Sequence, residues 1–210
     1  MSSADPLSGL FSKIKNEIFS QIKRMSRPAT RPFITKAELE EILSTERLGK
    51  IFKDTLCNQS ETIDRIKKEW LLVVGTLICL DWKKWTSFEL IFMNEQSGVI
   101  NDRRLPFRST DEILGEAHLD DGFAREFYRV QWVFTPMTIV QYDDSEAQPE
   151  ERLPFQDSKT ISERGAFSTV LKHSIPAGYM HEVSSDSTSV NMDVSLDWNM
   201  RTILLAVIEC

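Results

Sequence analysis

Cysteine, glycine and proline are all scarce in this chain of 210 residues. The three cysteines, Cys57, Cys79 and Cys210, form no Cys-x-x-Cys pair, so the sequence favours neither a disulfide framework nor a cysteine-ligated zinc site. We therefore expect a reducing compartment, the cytoplasm or the nucleus. With eight glycines and eight prolines, the chain also falls outside the collagen-like and low-complexity classes.

Long apolar runs are absent as well. The most apolar stretch, residues 70–80, is far shorter than the roughly 20 residues that a membrane-spanning helix needs. The first residues lack the apolar core of a secretory signal peptide. Because 41% of the residues are hydrophobic and 27% are charged, we expect a folded chain with a buried core and no transmembrane helix.

The charge is unevenly distributed along the chain. It holds 25 Lys and Arg against 32 Asp and Glu, a formal net charge of −7. Residues 1–34 contain six cations and two anions, a net charge of +4, so the remainder carries −11. An acidic body repels a phosphate backbone, and nucleic-acid binding is therefore not expected outside the basic amino-terminal arm.

The amino-terminal arm, residues 1–34, reads as an amphipathic basic helix followed by a linker. Between residues 7 and 25 the apolar side chains recur every three or four positions, with lysines opposite them. Packing on the body of the protein or on another chain is one interpretation. Attachment to a membrane or targeting to an organelle through residues 7–25 is another. Pro28 and Pro32 then predict a linker, since proline disfavours helix.

Residues 35–140 show the pattern of a helical domain. Thr35 and Glu38 have the spacing of a capping box, and Ser44 or Thr45 can cap the next helix. A longer helix is expected to begin near Glu61, with its buried positions extending to Leu77. Further short helices are predicted at residues 87–94, 111–116 and 123–132.

The carboxyl-terminal part has a different character. Residues 141–152 are rich in carboxylates and predict a solvated acidic connector. In residues 153–210 the content of β-branched side chains rises, and strands are expected at residues 159–161, 167–172 and 201–208. The predicted fold class is therefore α+β, a mostly helical amino-terminal domain followed by a small antiparallel β segment.

Residues that commonly bind metals or attack substrates form no recognisable group. His118, His173 and His181 are scattered without a His-Glu-x-x-His pattern, so we expect exposed loop histidines and no metal site. No serine lies in a Gly-x-Ser-x-Gly elbow. The sequence thus names neither a catalytic constellation nor a small-molecule substrate.

One segment carries a resemblance. Residues 153–172, which begin Leu153-Pro-Phe, resemble the first two strands and the glycine-rich loop of a protein kinase. From Gln131-Trp132 through the acidic connector, the chain is similar to a group of fungal proteins in which a helical region leads into a kinase domain. The likeness is loose over residues 35–180 and closer over residues 123–172. It implies that residues 153–210 form an incomplete kinase small lobe.

The loop departs from the kinase pattern G-x-G-x-x-G-x-V. With Val170 set on the valine, Glu163, Gly165 and Ser168 occupy the three glycine positions, so one glycine remains. The resemblance implies that Gly165, Ser168, Val170 and Lys172 would contact a nucleotide if binding survives. A hairpin unrelated to kinases is the other interpretation.

The residues after the loop bear on catalysis. Lys172 is the last lysine, and Ile208 stands where the resemblance implies the third-strand lysine. The chain is expected to stop after this strand, without the catalytic loop or the metal-binding motif. The sequence therefore favours a non-catalytic kinase-related protein that binds a protein partner or itself and needs no cofactor. The alternative is a divergent serine/threonine phosphotransferase that uses ATP and Mg²⁺, alone or completed by another chain.

Overall fold

A computed structural model describes residues 6–25, 31–53, 59–93, 100–117, 120–140, 149–155, 157–162, 168–181 and 200–208. It shows an α+β protein with two compact units, residues 1–24 with 33–135 and residues 25–32 with 136–210. The helices are α1 (Pro6–Met25), α2 (Lys36–Ile42), α3 (Thr45–Ile51), α4 (Gln59–Glu69), α5 (Leu71–Cys79), α6 (Phe88–Phe92), α7 (Thr110–Ala117) and α8 (Asp121–Gln131), with 3-10 turns at Trp85–Ser87 and Asp102–Arg104. The strands are β1 (Ile139–Val140), β2 (Asp157–Ser162), β3 (Ser168–Pro176), β4 (Met180–His181) and β5 (Met200–Ile208).

Helix α2 begins at the predicted capping box. The Glu38 backbone N–H donates to Thr35 Oγ1 at 3.3 Å, and the Thr35 N–H donates to Glu38 Oε2 at 2.8 Å. Ser44 caps α3 by accepting a hydrogen bond from the Arg47 N–H at 3.4 Å. Both helix starts confirm the sequence prediction, because each cap satisfies amide groups that have no partner within the helix.

The prediction of one continuous helix from near Glu61 to Leu77 is wrong. Helix α4 ends at Glu69 and α5 begins at Leu71, with Trp70 between them at φ −135° and ψ 14°. The Trp70 indole N–H donates to the Ile100 carbonyl at 2.9 Å. This contact lies 30 residues away in sequence, so local periodicity gave no sign of the break.

The core of the helical unit is centred on α5. Leu71 and the residues from Val73 to Ile78 are buried. Burial on every side explains why this segment is the most apolar of the chain, since no polar face is needed. Within the described residues, no helix combines the length and apolar character required to cross a bilayer.

Helix α1 packs against this same unit. Ile14 and Ile18 are fully buried in the core, and the Phe11 ring stacks on Trp85 with centroids 4.9 Å apart. Glu17 accepts two hydrogen bonds from the Arg47 guanidinium, at 2.6 and 3.0 Å. These bonds hold the pKa of Glu17 below its ordinary value. The apolar face of α1 is therefore occupied within its own chain.

Two sheets form in the second unit. Strands β2, β3 and β5 make one sheet in that order, and both of its pairs are antiparallel. The predicted strand segments overlap these three strands. Strands β1 and β4, two residues each, pair in parallel, and the sequence pattern gave no expectation of them because they are too short to show a periodicity.

We predict opposite effects of alanine at two helical glycines. A Cβ at Gly75 would lie 2.9 Å from Leu39 Cδ2 and 2.9 Å from Phe134 Cε1, whereas at Gly49 its nearest contact would be Ile63 Cδ1 at 3.6 Å. Gly75→Ala should lower the free energy of unfolding by about 1–2 kcal/mol through overpacking. Gly49→Ala should raise it by up to about 1 kcal/mol, because alanine favours helix. Urea denaturation measures both, and an equal gain in the two variants would contradict the close packing at Gly75.

Candidate functional site

Three of the residues implied by the kinase resemblance lie on β3. Ser168, Val170 and Lys172 occupy alternate positions of this strand. Gly165 and Glu163, in the loop before it, lie outside the described residues. The structure thus places three of the four predicted nucleotide-contacting residues on one strand.

The register of β3 fixes what lies opposite each of them. Ser168, the first residue of β3, pairs with Ile208, and Lys172 pairs with Leu204. On the other side, Val170 pairs with Ser162 of β2, next to a register shift after Thr160. Ile208, the last residue of β5, therefore lies opposite Ser168, the first residue of β3.

The Leu-Pro-Phe segment is tied to β3 through one aromatic contact. The Phe155 ring stacks on the His173 imidazole with centroids 4.1 Å apart and planes 16° from parallel. His173 is 4% exposed, so the expectation of an exposed loop histidine is wrong for this residue. Its position on β3, under the Phe155 ring, accounts for the burial. Phe155 thereby orders the chain as it enters the sheet.

Arg152, directly before this segment, binds backbone on both sides. Its carbonyl accepts a hydrogen bond from the Met137 N–H at 2.9 Å, and its Nη1 donates to the Pro32 carbonyl. Burial, with the nearby charge of Arg31, lowers the pKa of Arg152 to about 10. The residue therefore joins three distant parts of the second unit.

The Gln131-Trp132 pair of the resemblance belongs to the helical unit and holds it together. Gln131 is fully buried, and its Oε1 accepts from the Phe107 N–H at 2.8 Å while its Nε2 donates to the Phe107 carbonyl at 2.9 Å. The Trp132 ring packs edge-on against Tyr128 with centroids 6.0 Å apart. In the described part of the chain, Trp132 Nε1 is buried without a hydrogen-bond partner. Gln131 thus stabilises the unit by hydrogen bonds, and Trp132 does so by packing of its ring.

Asp102 is a polar residue that sequence reasoning missed. Its Oδ1 accepts from the backbone N–H groups of Leu72 at 3.0 Å and Val73 at 3.2 Å, at the start of α5. Its Oδ2 is buried without a partner among the described residues. Burial raises the pKa of the Asp102 carboxyl to about 6, although the backbone donors and Lys36 oppose the shift. In the sequence, Asp102 stands in a segment without a recognisable motif, so its contact with α5 could not be predicted.

Groups with other chemistry are sparse. Burial raises the pKa of the Cys79 thiol to about 12, which makes it a poor nucleophile. Within the described ranges, no three His, Cys, Asp or Glu side chains come together in a way that could hold a metal ion.

We predict that Asp102→Asn flattens the pH dependence of stability. The folded-state pKa of Asp102 lies near 6, above the ordinary value of 3.8, so protonation favours the folded state. Stability from this group is full below pH 3.8 and is lost as the pH rises through 6. The wild type should lose about 2–3 kcal/mol over that interval relative to the variant. Urea titrations at several pH values measure the difference, and a pH profile that is parallel in the two proteins would contradict the assignment. Asp120→Asn, which changes an exposed helix-capping carboxylate, is the matched control.

We also predict unequal costs within the Gln131-Trp132 pair. Gln131→Leu leaves the Phe107 N–H and carbonyl buried without partners and should cost about 2–4 kcal/mol of unfolding free energy. Trp132→Phe removes an indole N–H that has no described partner and should cost less than about 1.5 kcal/mol. Thermal or urea unfolding distinguishes the two. Similar losses in both variants would mean that the amide clamp is not the dominant contact.

Comparison with known proteins identifies no relative of this chain. The chain matches no protein-family model, no curated protein and no solved structure. A function for the chain therefore has to come from its own residues. The most informative of them are the paired positions of β3 and β5.

Proposed function

We propose that this chain is a non-catalytic, kinase-related protein that acts by binding other proteins or a second copy of itself. One observation carries the proposal: β5 pairs with β3 in a register that sets Ile208 opposite Ser168. Ser168 occupies the last glycine position of the kinase loop pattern. Ile208 therefore pairs with the residue at the end of that loop pattern.

Kinase chemistry requires an amine on the third strand, and the resemblance sets Ile208 at that position. In protein kinases the third-strand lysine pairs with the nucleotide phosphates, and phosphoryl transfer depends on such charge neutralisation. Isoleucine has no charge to offer. Lys172 is no substitute, because it pairs with Leu204, four residues or about 13 Å along β5 from Ile208.

The loop sequence supports the same conclusion. Glu163 and Ser168 stand at two of the three glycine positions. A carboxylate beside a triphosphate adds repulsion, and side chains at these positions hinder the close approach of backbone N–H groups to phosphate. The resemblance thus extends to the shape of a hairpin more than to its phosphate chemistry.

Protein binding is favoured by the outer edge of β5. Among the described residues, no strand pairs with β5 on the side away from β3. Residues 202–208 contain neither a charged residue nor proline, which are usual protections of an exposed edge. An edge of this kind accepts an added strand from a partner or from a second copy.

Membrane attachment through residues 7–25 is less well supported. Ile14, Ile18 and Ile22 are buried within the helical unit, so the apolar face of α1 is not available to a bilayer. Phe19, 41% exposed, is the large apolar residue that α1 still presents to solvent. A single exposed ring adds little to bilayer affinity.

Calorimetric titration with Mg-ATP tests the proposal. We expect no saturable heat from the wild type at millimolar ATP. Adding Glu163→Gly together with Ile208→Lys should produce measurable binding, because it restores a glycine and the missing amine. Glu163→Gly with Leu204→Lys, which adds the same charge elsewhere on β5, is the matched control and should stay silent.

Two outcomes would contradict this proposal. Saturable ATP binding by the wild type that is abolished in Gly165→Glu would favour the divergent phosphotransferase. Equal behaviour of the Ile208→Lys and Leu204→Lys proteins would remove the support for a kinase-like register. Sedimentation of the wild type over a range of concentrations reports self-association in the same samples.

A further inference from the structure

Four exposed arginines of the helical unit flank one surface segment. Arg103 and Arg104 lie in the second 3-10 turn, and Arg108 follows shortly after it. Arg65 of α4 joins them through Trp70. Its guanidinium carbon lies 5.5 Å from the centroid of the Trp70 ring, and the indole N–H of that ring donates to the Ile100 carbonyl. We call these four residues the arginine patch.

Two members of the arginine patch rest on rigid aromatic rings. Trp70, beneath Arg65, is 2% exposed, and Phe107, whose centroid lies 5.7 Å from the Arg104 guanidinium carbon, is 1% exposed. Because the Arg65 guanidinium lies over a ring face, it keeps N–H groups at its edge for carboxylate oxygens. The ring also restricts the side chain before a ligand arrives, so less entropy is lost on binding.

The nearest acid of the segment does not neutralise this surface. Asp102 turns inward and accepts from the Leu72 and Val73 N–H groups. In the described part of the chain, Arg65, Arg103 and Arg108 form no ion pair with a carboxylate. Their charges are therefore directed to solvent.

Carboxylates limit the arginine patch on one side. Asp111 and Glu112, in the first turn of α7, are exposed, and Glu112 Oε2 accepts from the Arg108 backbone N–H at 2.9 Å. A long polyanion would have to pass over these acids and over a chain that carries −11 outside residues 1–34. A short acidic segment has fewer of these acids to pass.

We propose that the arginine patch binds a short carboxylate-rich segment of a partner protein. The proposal rests on the protein-binding role proposed above and gives that role a surface on the helical unit, independent of the nucleotide-like hairpin. Arginine pairs with carboxylates in a two-pronged geometry, and aromatic-backed arginines are frequent at the energetic centre of protein interfaces.

Fluorescence anisotropy with a labelled twelve-residue peptide of Asp and Glu tests it on the full chain. The wild type should bind saturably at low salt. Arg103→Glu with Arg108→Glu should weaken binding by about tenfold or more, because two attractive charges become repulsive. Lys83→Glu with Lys84→Glu, an exposed pair whose replacement changes the net charge equally, should weaken it less than about twofold. Arg65→Met, which preserves the apolar contact on Trp70, should show an intermediate loss.

Several results would overturn the proposal. They are a wild type without saturable peptide binding, an equal loss in the arginine and lysine double variants, and tighter binding of a twelve-nucleotide single-stranded RNA with the same sensitivity to the arginine changes. Unchanged melting temperatures show that the variants are folded, which is expected because the substituted side chains are exposed. None of these results alters the Mg-ATP titration or the sedimentation experiment, so a failure here is distinguishable from a failure of the proposed function.

Discussion

The helical unit depends on how the first backbone N–H groups of α5 find hydrogen-bond acceptors. This helix starts inside the core at Trp70, where its own residues supply no capping side chain. Its first amides would be costly to bury unpaired, and the Asp102 carboxylate, 30 residues on, accepts from Leu72. Burial of this carboxylate raises its pKa, so the group that caps α5 is protonated more readily than an exposed aspartate. The 3-10 turn that carries Asp102 also carries Arg103 and Arg104 of the arginine patch, so the same contact positions these two residues.

A second long-range contact fixes the other end of this segment. Gln131 forms both hydrogen bonds to the Phe107 backbone from the carboxyl-terminal turn of α8. The chain between Ile100 and Phe107 is therefore fastened at three points. The Trp70 indole binds the Ile100 carbonyl, the segment's own Asp102 carboxylate accepts from the start of α5, and the Gln131 amide of α8 binds the Phe107 backbone. Polar side chains, and not periodic apolar ones, define this part of the fold, and the hydrophobic pattern alone does not reveal it.

That difference explains how far the sequence could be interpreted. Helix starts at Thr35 and Ser44 were predictable because capping is local, and the fold class followed from the change in composition near residue 141. The break at Trp70 and the role of Asp102 were not, since both depend on partners some 30 residues away. At the candidate site, Ser168, Val170 and Lys172 could be assigned to a strand from sequence. The pairing of Ser168 with Ile208 needed the register.

The linker before Phe33 has a consequence for any attempt to dissect the protein. Residues 1–24 belong to the helical unit, residues 25–32 to the second unit, and residues 33–135 to the helical unit again. The polypeptide thus crosses between the units three times, and a single cut cannot separate them. A fragment that starts at residue 33 would lack Ile14 and Ile18 and expose the apolar surface they cover. Recombinant fragments should therefore keep α1, supplied in the same chain or as a separate peptide.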